Sequence, residues 1–140
     1  MKFKFFSFIL LCVFFSYTGI ANSSFISSNS ASLMALDKVT ARVSEIFIEV
    51  GKPELFGTLE INMFICHSTP PEDPPESAVY LSIDEIRSGE QLNPLFKGWM
   101  FASSPGLNPL EHPVYDVWVL RCIDEEEKQI DSGLAPQTGE

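Results

Sequence analysis

Through the middle of the chain, apolar residues fall at every second position. In residues 55–66, Leu59, Ile61, Met63 and Ile65 alternate with Thr58, Glu60 and Asn62, so the first set faces one side of a strand and the second faces the other. Gly57 lies inside this run and predicts a bend. Residues 38–43 and 45–50, rich in Val, Ile and Phe, come before it, and Gly51-Lys52-Pro53 supplies a turn into it, which makes a three-strand meander. The alternation returns in 77–86, 95–103 and 113–122. No stretch carries a sustained 3.6-residue period, so the sequence predicts at most a short helical turn near 83–87 or 108–112. About six strands within residues 37–122 predict an all-β domain, a small β-sandwich or a partly open barrel.

The ends read differently. Lys2 and Lys4 precede an apolar run over 5–15 broken by Ser7, and Gly19-Ile20-Ala21 then places small residues three and one positions before a cut. This predicts a secretory signal peptide over residues 1–21. A run of about a dozen apolar residues is too short for a hydrocarbon core that needs roughly twenty, so no membrane span is expected after cleavage; an uncleaved anchor is the alternative. Residues 22–36 hold six serines without a sustained period and read as a flexible leader. Residues 123–140 carry six acids against Lys128 and read as an acidic, disordered tail.

Charge narrows the partners. The 140 residues carry a net charge of -10, and losing Lys2 and Lys4 with the signal peptide takes it to -12. Such a chain has no electrostatic grip on nucleic acid or on an anionic lipid surface. Cleavage also removes Cys12 and leaves Cys66 and Cys122, an even count that reads as one disulfide in an oxidising compartment. A redox-active pair or a metal thiolate is the competing reading, without a C-x-x-C frame to favour it.

Three segments stand out. Cys66-His67 is followed by Pro70-Pro71-Glu72-Asp73-Pro74-Pro75-Glu76-Ser77-Ala78; then come Gly98-Trp99-Met100-Phe101-Ala102-Ser103-Ser104-Pro105, and Leu110-Glu111-His112-Pro113-Val114-Tyr115-Asp116-Val117-Trp118-Val119-Leu120 ending at Cys122. Together they resemble a family of small exported alphaproteobacterial proteins of unknown function. The resemblance implies a periplasmic or envelope location in a Gram-negative cell, and no catalytic residue to carry over.

Named chemistries are missing from the sequence: there is no G-x-x-x-x-G-K, no H-E-x-x-H and no G-x-S-x-G. His67 and His112, with Met63, Met100 and the thiols, are weak candidates for a transition metal. Glu72, Asp73 and Glu76 could face calcium, and Asp84, Glu85, Glu111 and Asp116 could supply a hydrolase pair, but neither set has a distinctive spacing. No cofactor is implied. The Pro-rich loop offers a stiff polyproline segment for recognition. On strands, Trp99 and Phe101 share one face, while Trp118 points opposite to Tyr115 and Val117. These aromatics either complete a two-sided core or are displayed for binding. The expectation is a non-enzymatic periplasmic protein that binds an envelope protein through Pro71, Glu72, Pro74, Pro75, Trp99, Phe101 and Trp118. A small-molecule or metal-ion binding domain, or a hydrolase, is the alternative.

Overall fold

A computed structural model describes residues 24–123 apart from Ser88 and Glu90. The expected signal peptide and nearly all of the expected acidic tail lie outside the described residues. In chain order the strands are β1 Ile26–Ser28, β2 Ser30–Asp37, β3 Arg42–Glu49, β4 Glu54–Phe56, β5 Leu59–Ser68, β6 Ser77–Glu85, β7 Asn93–Phe101 and β8 Tyr115–Ile123, with a 3-10 turn at Pro105–Leu107 between the last two. They form two antiparallel sheets. One has the order β1-β5-β6-β7 with β4 also on β5, and the other the order β3-β2-β8. The architecture is the expected all-β one, a two-sheet stack that does not close into a barrel.

The strand count rises from six to eight for local reasons. Gly57 adopts φ 60°, and Phe56 pairs with Leu59, so the chain reverses at Gly57-Thr58 instead of bending there. A Cβ at Gly57 would also run into the Tyr115 hydroxyl, so two demands fix this glycine. Residues 38–41, expected as strand, form a turn: the Asp37 carboxylate accepts the N–H groups of Val39 at 2.9 Å and Thr40 at 3.2 Å, and Ala41 takes φ 56°. The sole described helical turn lies at Pro105–Leu107, outside both windows anticipated from sequence.

The largest correction concerns the Ser-rich segment. Far from a loose leader, it supplies β1 and β2, and β2 is the central strand of its sheet, paired with β3 on one side and β8 on the other. Ala31, Leu33 and Ala35 are fully buried, and the intervening Ser32, equally buried, donates its hydroxyl to Glu45. Small inward residues and a satisfied serine meet the needs of a packed central strand without a bold hydrophobic alternation. At the other end, Ile123 belongs to β8 and is buried, so the folded body extends one residue past Cys122.

The core lies between the sheets. Leu59, Ile61 and Met63 of β5, Val79, Leu81 and Ile83 of β6 and Met100 of β7 meet Leu33, Ile48, Val117 and Val119 from the second sheet. A disulfide between Cys66 on β5 and Cys122 on β8 joins the sheets at one end, with Cα atoms 5.8 Å apart. Beside it the Cys122 N–H donates to Ser77 Oγ at 3.1 Å.

Candidate functional site

The inward alternation decides what the five-stranded sheet shows to solvent. With Val79 and Leu81 in the core, Ala78, Tyr80 and Ser82 face out; with Met100 inside, Trp99 and Phe101 face out. On β5 the register slips between Met63 and Ile65, so Phe64 and Ile65 are both exposed before Cys66 returns to the core. Pairing then aligns Ile65, Tyr80 and Trp99 across three strands, and His67, Ala78 and Phe101 beside them.

The result is a continuous row of rings. Phe25 lies 6.0 Å from His67, His67 lies 6.2 Å from Trp99, Trp99 lies 5.3 Å from Tyr80, and Tyr80 lies 5.8 Å from Phe64, all between ring centroids. Interplanar angles of 39–73° make the surface ridged rather than flat. Relative exposure is 58% for Phe25, 44% for Phe64, 37% for Ile65 and 36% for Trp99. Lys97 Nζ sits 5.5 Å from the Phe64 ring centroid, a cation–π arrangement at the end of the row. Asn108 Nδ2 donates to the Trp99 carbonyl at 3.0 Å, and a Cβ at Gly98 would lie 2.9 Å from that nitrogen; the Gly98-Trp99 pair therefore leaves room for the contact.

The Pro-rich loop is a folded knob and not a polyproline segment. Asp73 N–H donates to the Pro70 carbonyl at 3.0 Å, closing a turn with Pro71 in the position where its fixed φ is favoured. Thr69 ties the two ends: its Oγ1 donates to the Pro74 carbonyl at 2.8 Å and accepts the Glu76 N–H at 3.0 Å. Pro71, Glu72, Pro74 and Pro75 are exposed, while Pro70 is buried.

Glu76 anchors this knob to the loop after β7, because its carboxylate accepts the Ser103 and Ser77 N–H groups and the Ser103 hydroxyl. Burial pushes its pKa up, but the donors from Ser103, Ser77 and Ala102 together outweigh this and hold it below the usual 4.5. A depressed carboxylate contributes stability above its unfolded pKa and loses that contribution as pH falls through the folded value. Glu76→Gln is therefore expected to flatten the stability profile below about pH 4.5, as read by urea melts at stepped pH; an acid limb identical to that of the parent would contradict this role.

The structure brings the loop, Trp99 and Phe101 to one end of one sheet. Trp118 is not with them: it pairs with Met34 on the outer side of the other sheet, where it lines a shallow cleft of about 280 Å³ with Pro105, Pro109 and Asp116. The two histidines also separate. His67 joins the ring row, whereas His112 lies near Glu85 at the far end of the β5–β6 pair. His112 Nδ1 accepts the N–H groups of Val114 at 3.2 Å and Tyr115 at 3.0 Å, which leaves the proton on Nε2, 3.4 Å from Glu85 Oε1. Its ring stacks on Tyr115 at 5.3 Å.

His112 thus holds the turn into β8. Hydrogen bonds from Arg87 chiefly, then His112 and Asn93, keep Glu85 below the usual glutamate value despite partial desolvation. His112→Ala would orphan two backbone donors and is expected to cost about 2 kcal/mol in urea denaturation, with a loss under about 0.5 kcal/mol contradicting the role. Among the described residues no group of three His, Cys, Asp or Glu side chains is placed to hold a metal ion, and the sulfurs of Cys66 and Cys122 are joined in the disulfide.

Sequence reasoning missed Phe25, Phe64, Ile65, Tyr80 and Lys97. Tyr80 was readable, since Val79 and Leu81 flank it; Phe64 and Ile65 were not, because the register slip breaks the alternation.

Known proteins match the folded body. The family model described as "Uncharacterized protein conserved in bacteria (DUF2155)" matches residues 31–122, from the second residue of β2 to the disulfide cysteine of β8. The chain belongs to this family. The match spans all three segments that carried the resemblance seen in the sequence. The uncharacterized protein RP359 of Rickettsia prowazekii (strain Madrid E) is 29% identical over 104 residues, covering 74% of this chain and 67% of that protein. No solved structure matches the chain. The DUF2155 body thus includes His67, Phe64, Tyr80, Lys97 and Trp99 of the ring row, while Phe25 precedes the matched region. Among its described residues no helix is long and apolar enough to cross a membrane.

Proposed function

We propose that this DUF2155 protein is a non-enzymatic protein of the cell envelope, exported by its N-terminal signal, that docks a protein partner on the outer face of its five-stranded sheet. The observation that carries this reading is the connected ring row from Phe25 to Phe64, left uncovered at its ends and centre. Rings already packed on one another lose little freedom on binding, and aromatic residues with few charges characterise the centre of protein interfaces. Trp99 is the central ring, in contact with both His67 and Tyr80, and is the residue expected to dominate the energy. The disulfide supports export, because such bonds persist in oxidising compartments.

The test is recovery of partner after mild crosslinking of the exported chain in its native envelope. Trp99→Ala is expected to weaken the interaction about 30-fold, the equivalent of a central contact worth about 2 kcal/mol. Trp118→Ala, on the opposite sheet, is expected to leave it unchanged. Equal recovery with parent and Trp99→Ala would contradict the reading.

A further inference from the structure

We propose that the protein partner on this face is cationic: an extended segment that lays apolar side chains over the ring row and a Lys or Arg over the Glu60–Asp84 pair. This rests on the reading of the ring row as a protein-contact surface and names the chemistry of its occupant.

Along the strands the outer face changes character. Beyond Phe64, Tyr80 and Trp99 come Asn62, Ser82 and Lys97, and then Glu60 and Asp84, which stand directly opposite one another on β5 and β6. Like charges paired across two strands destabilise a sheet. No cation among the described residues relieves them: Lys52 pairs with Glu49, Arg87 with Glu85 and Arg121 with Glu45, while Lys38 donates to the His112 carbonyl and Arg42 faces Asp37. Lys97, one row away, lies over the Phe64 ring and not within ion-pair range of either carboxylate. Glu60 is met by the neutral Asn62 amide at 3.3 Å. Past the opposite end of the row, the exposed part of the Pro-rich knob adds Glu72 and Asp73, again with no cation partner among the described residues.

The face is thus apolar in the middle and acidic at both ends. A second copy, or any acidic partner, would set carboxylates against carboxylates, and the net charge of -10 adds to that repulsion. A cation between Glu60 and Asp84 instead meets two carboxylates at once and removes a repulsion that the free protein carries. The forked donors of a guanidinium suit such a pair of acceptors best. Leu55, exposed and paired with Glu60, offers apolar surface to the stem of that side chain. The faces of Trp99 and Tyr80 accept apolar groups or a further cation. From Ala78 beside the knob to Asp84, β6 covers about 20 Å at the usual strand rise, so about eight extended residues reach from one acidic end to the other.

Lys97 gives the proposal a directional test. It is the one cation the chain itself holds on this face among the described residues, so a cationic partner gains when it is removed.

Calorimetric titration of the exported, oxidised chain with two synthetic peptides supplies the measurement. One peptide has about ten residues, with Arg toward both ends and Leu and Val between; the other carries Glu at every Arg position. The basic peptide is expected to bind at least about tenfold more tightly than the acidic one, and to weaken as salt rises. Glu60→Gln with Asp84→Asn, and separately Trp99→Ala, are each expected to weaken it about tenfold, whereas Lys97→Glu is expected to tighten it severalfold. Glu45→Gln with Asp116→Asn removes as many charges from the opposite sheet and is expected to bind like the parent. Near-UV circular dichroism matching the parent shows that each variant is folded. Equal affinity for the two peptides, weaker binding with Lys97→Glu, indifference to Trp99→Ala, or an equal loss from the opposite-sheet pair overturns the proposal. If the basic peptide does not bind but Trp99→Ala still abolishes crosslinked capture of an envelope protein, the cationic chemistry is wrong and the protein-contact reading stands; if capture is also indifferent to Trp99, both fall.

Discussion

Replacing Cys66 and Cys122 together by alanine is expected to lower the unfolding free energy by about 4 kcal/mol, the entropy of closing a loop of this length in the unfolded chain. The two cysteines are 56 positions apart and sit on β5 and β8, so the bond joins two sheets that are otherwise held by side-chain packing and a few hydrogen bonds, among them Cys122 N–H to Ser77 Oγ and Gly51 N–H to the Met63 carbonyl. Cys66 is buried at 1% exposure, so loss of its sulfur also removes core contacts. For a domain of this size such a loss is a large share of total stability. Urea melts of parent and double variant, and of the parent with and without reductant, measure it. A difference below about 1 kcal/mol would show that the sheets hold without the bond.

Leu33→Ala is expected to cost about 3 kcal/mol, the usual range for a fully buried leucine truncated to leave a cavity. Leu33 has no exposed surface and lies on the central strand of the three-stranded sheet, paired to Ile46 and Val119. A loose leader would tolerate the change at no cost, so the experiment separates the two descriptions of this segment. Unchanged urea midpoints would return residues 30–37 to the status of a tail and leave the β3-β2-β8 sheet without its centre.

The alternation of Val79, Leu81 and Ile83 with Tyr80 and Ser82, and of Met100 with Trp99 and Phe101, was strong enough to place β6 and β7 and to say which residues share a face. That is where sequence and structure agree most closely, since period-two burial depends on nothing beyond the strand itself. β2 escaped because its inward residues are mostly alanine and its polar partners are serines, a composition that marks linkers as readily as crowded central strands. The turn at residues 38–41 depends on the Asp37 side chain capturing two N–H groups, which Val39 masked by raising the strand propensity of the segment.

The candidate face was half legible. Trp99 came from local alternation, but the row it belongs to is assembled from β5, β6 and β7 with Phe25 just before β1, and its member Phe64 enters through a register slip. Trp118 was grouped with them because sequence alone does not say which sheet a strand joins; its pairing with Met34 sends it to the opposite side of the molecule. The Pro-rich loop was read as extended because its prolines favour that state, whereas Thr69 and the Pro70–Asp73 turn fold it back.

The most direct test of the ring row as a protein-contact face is photocrosslinking in living cells, with a photoreactive residue placed at position 99 in one strain and at position 118 in another. The account predicts discrete crosslinked protein species from position 99 and none from position 118. Silence at position 99 with the protein folded and exported, or the same species from both positions, would contradict it.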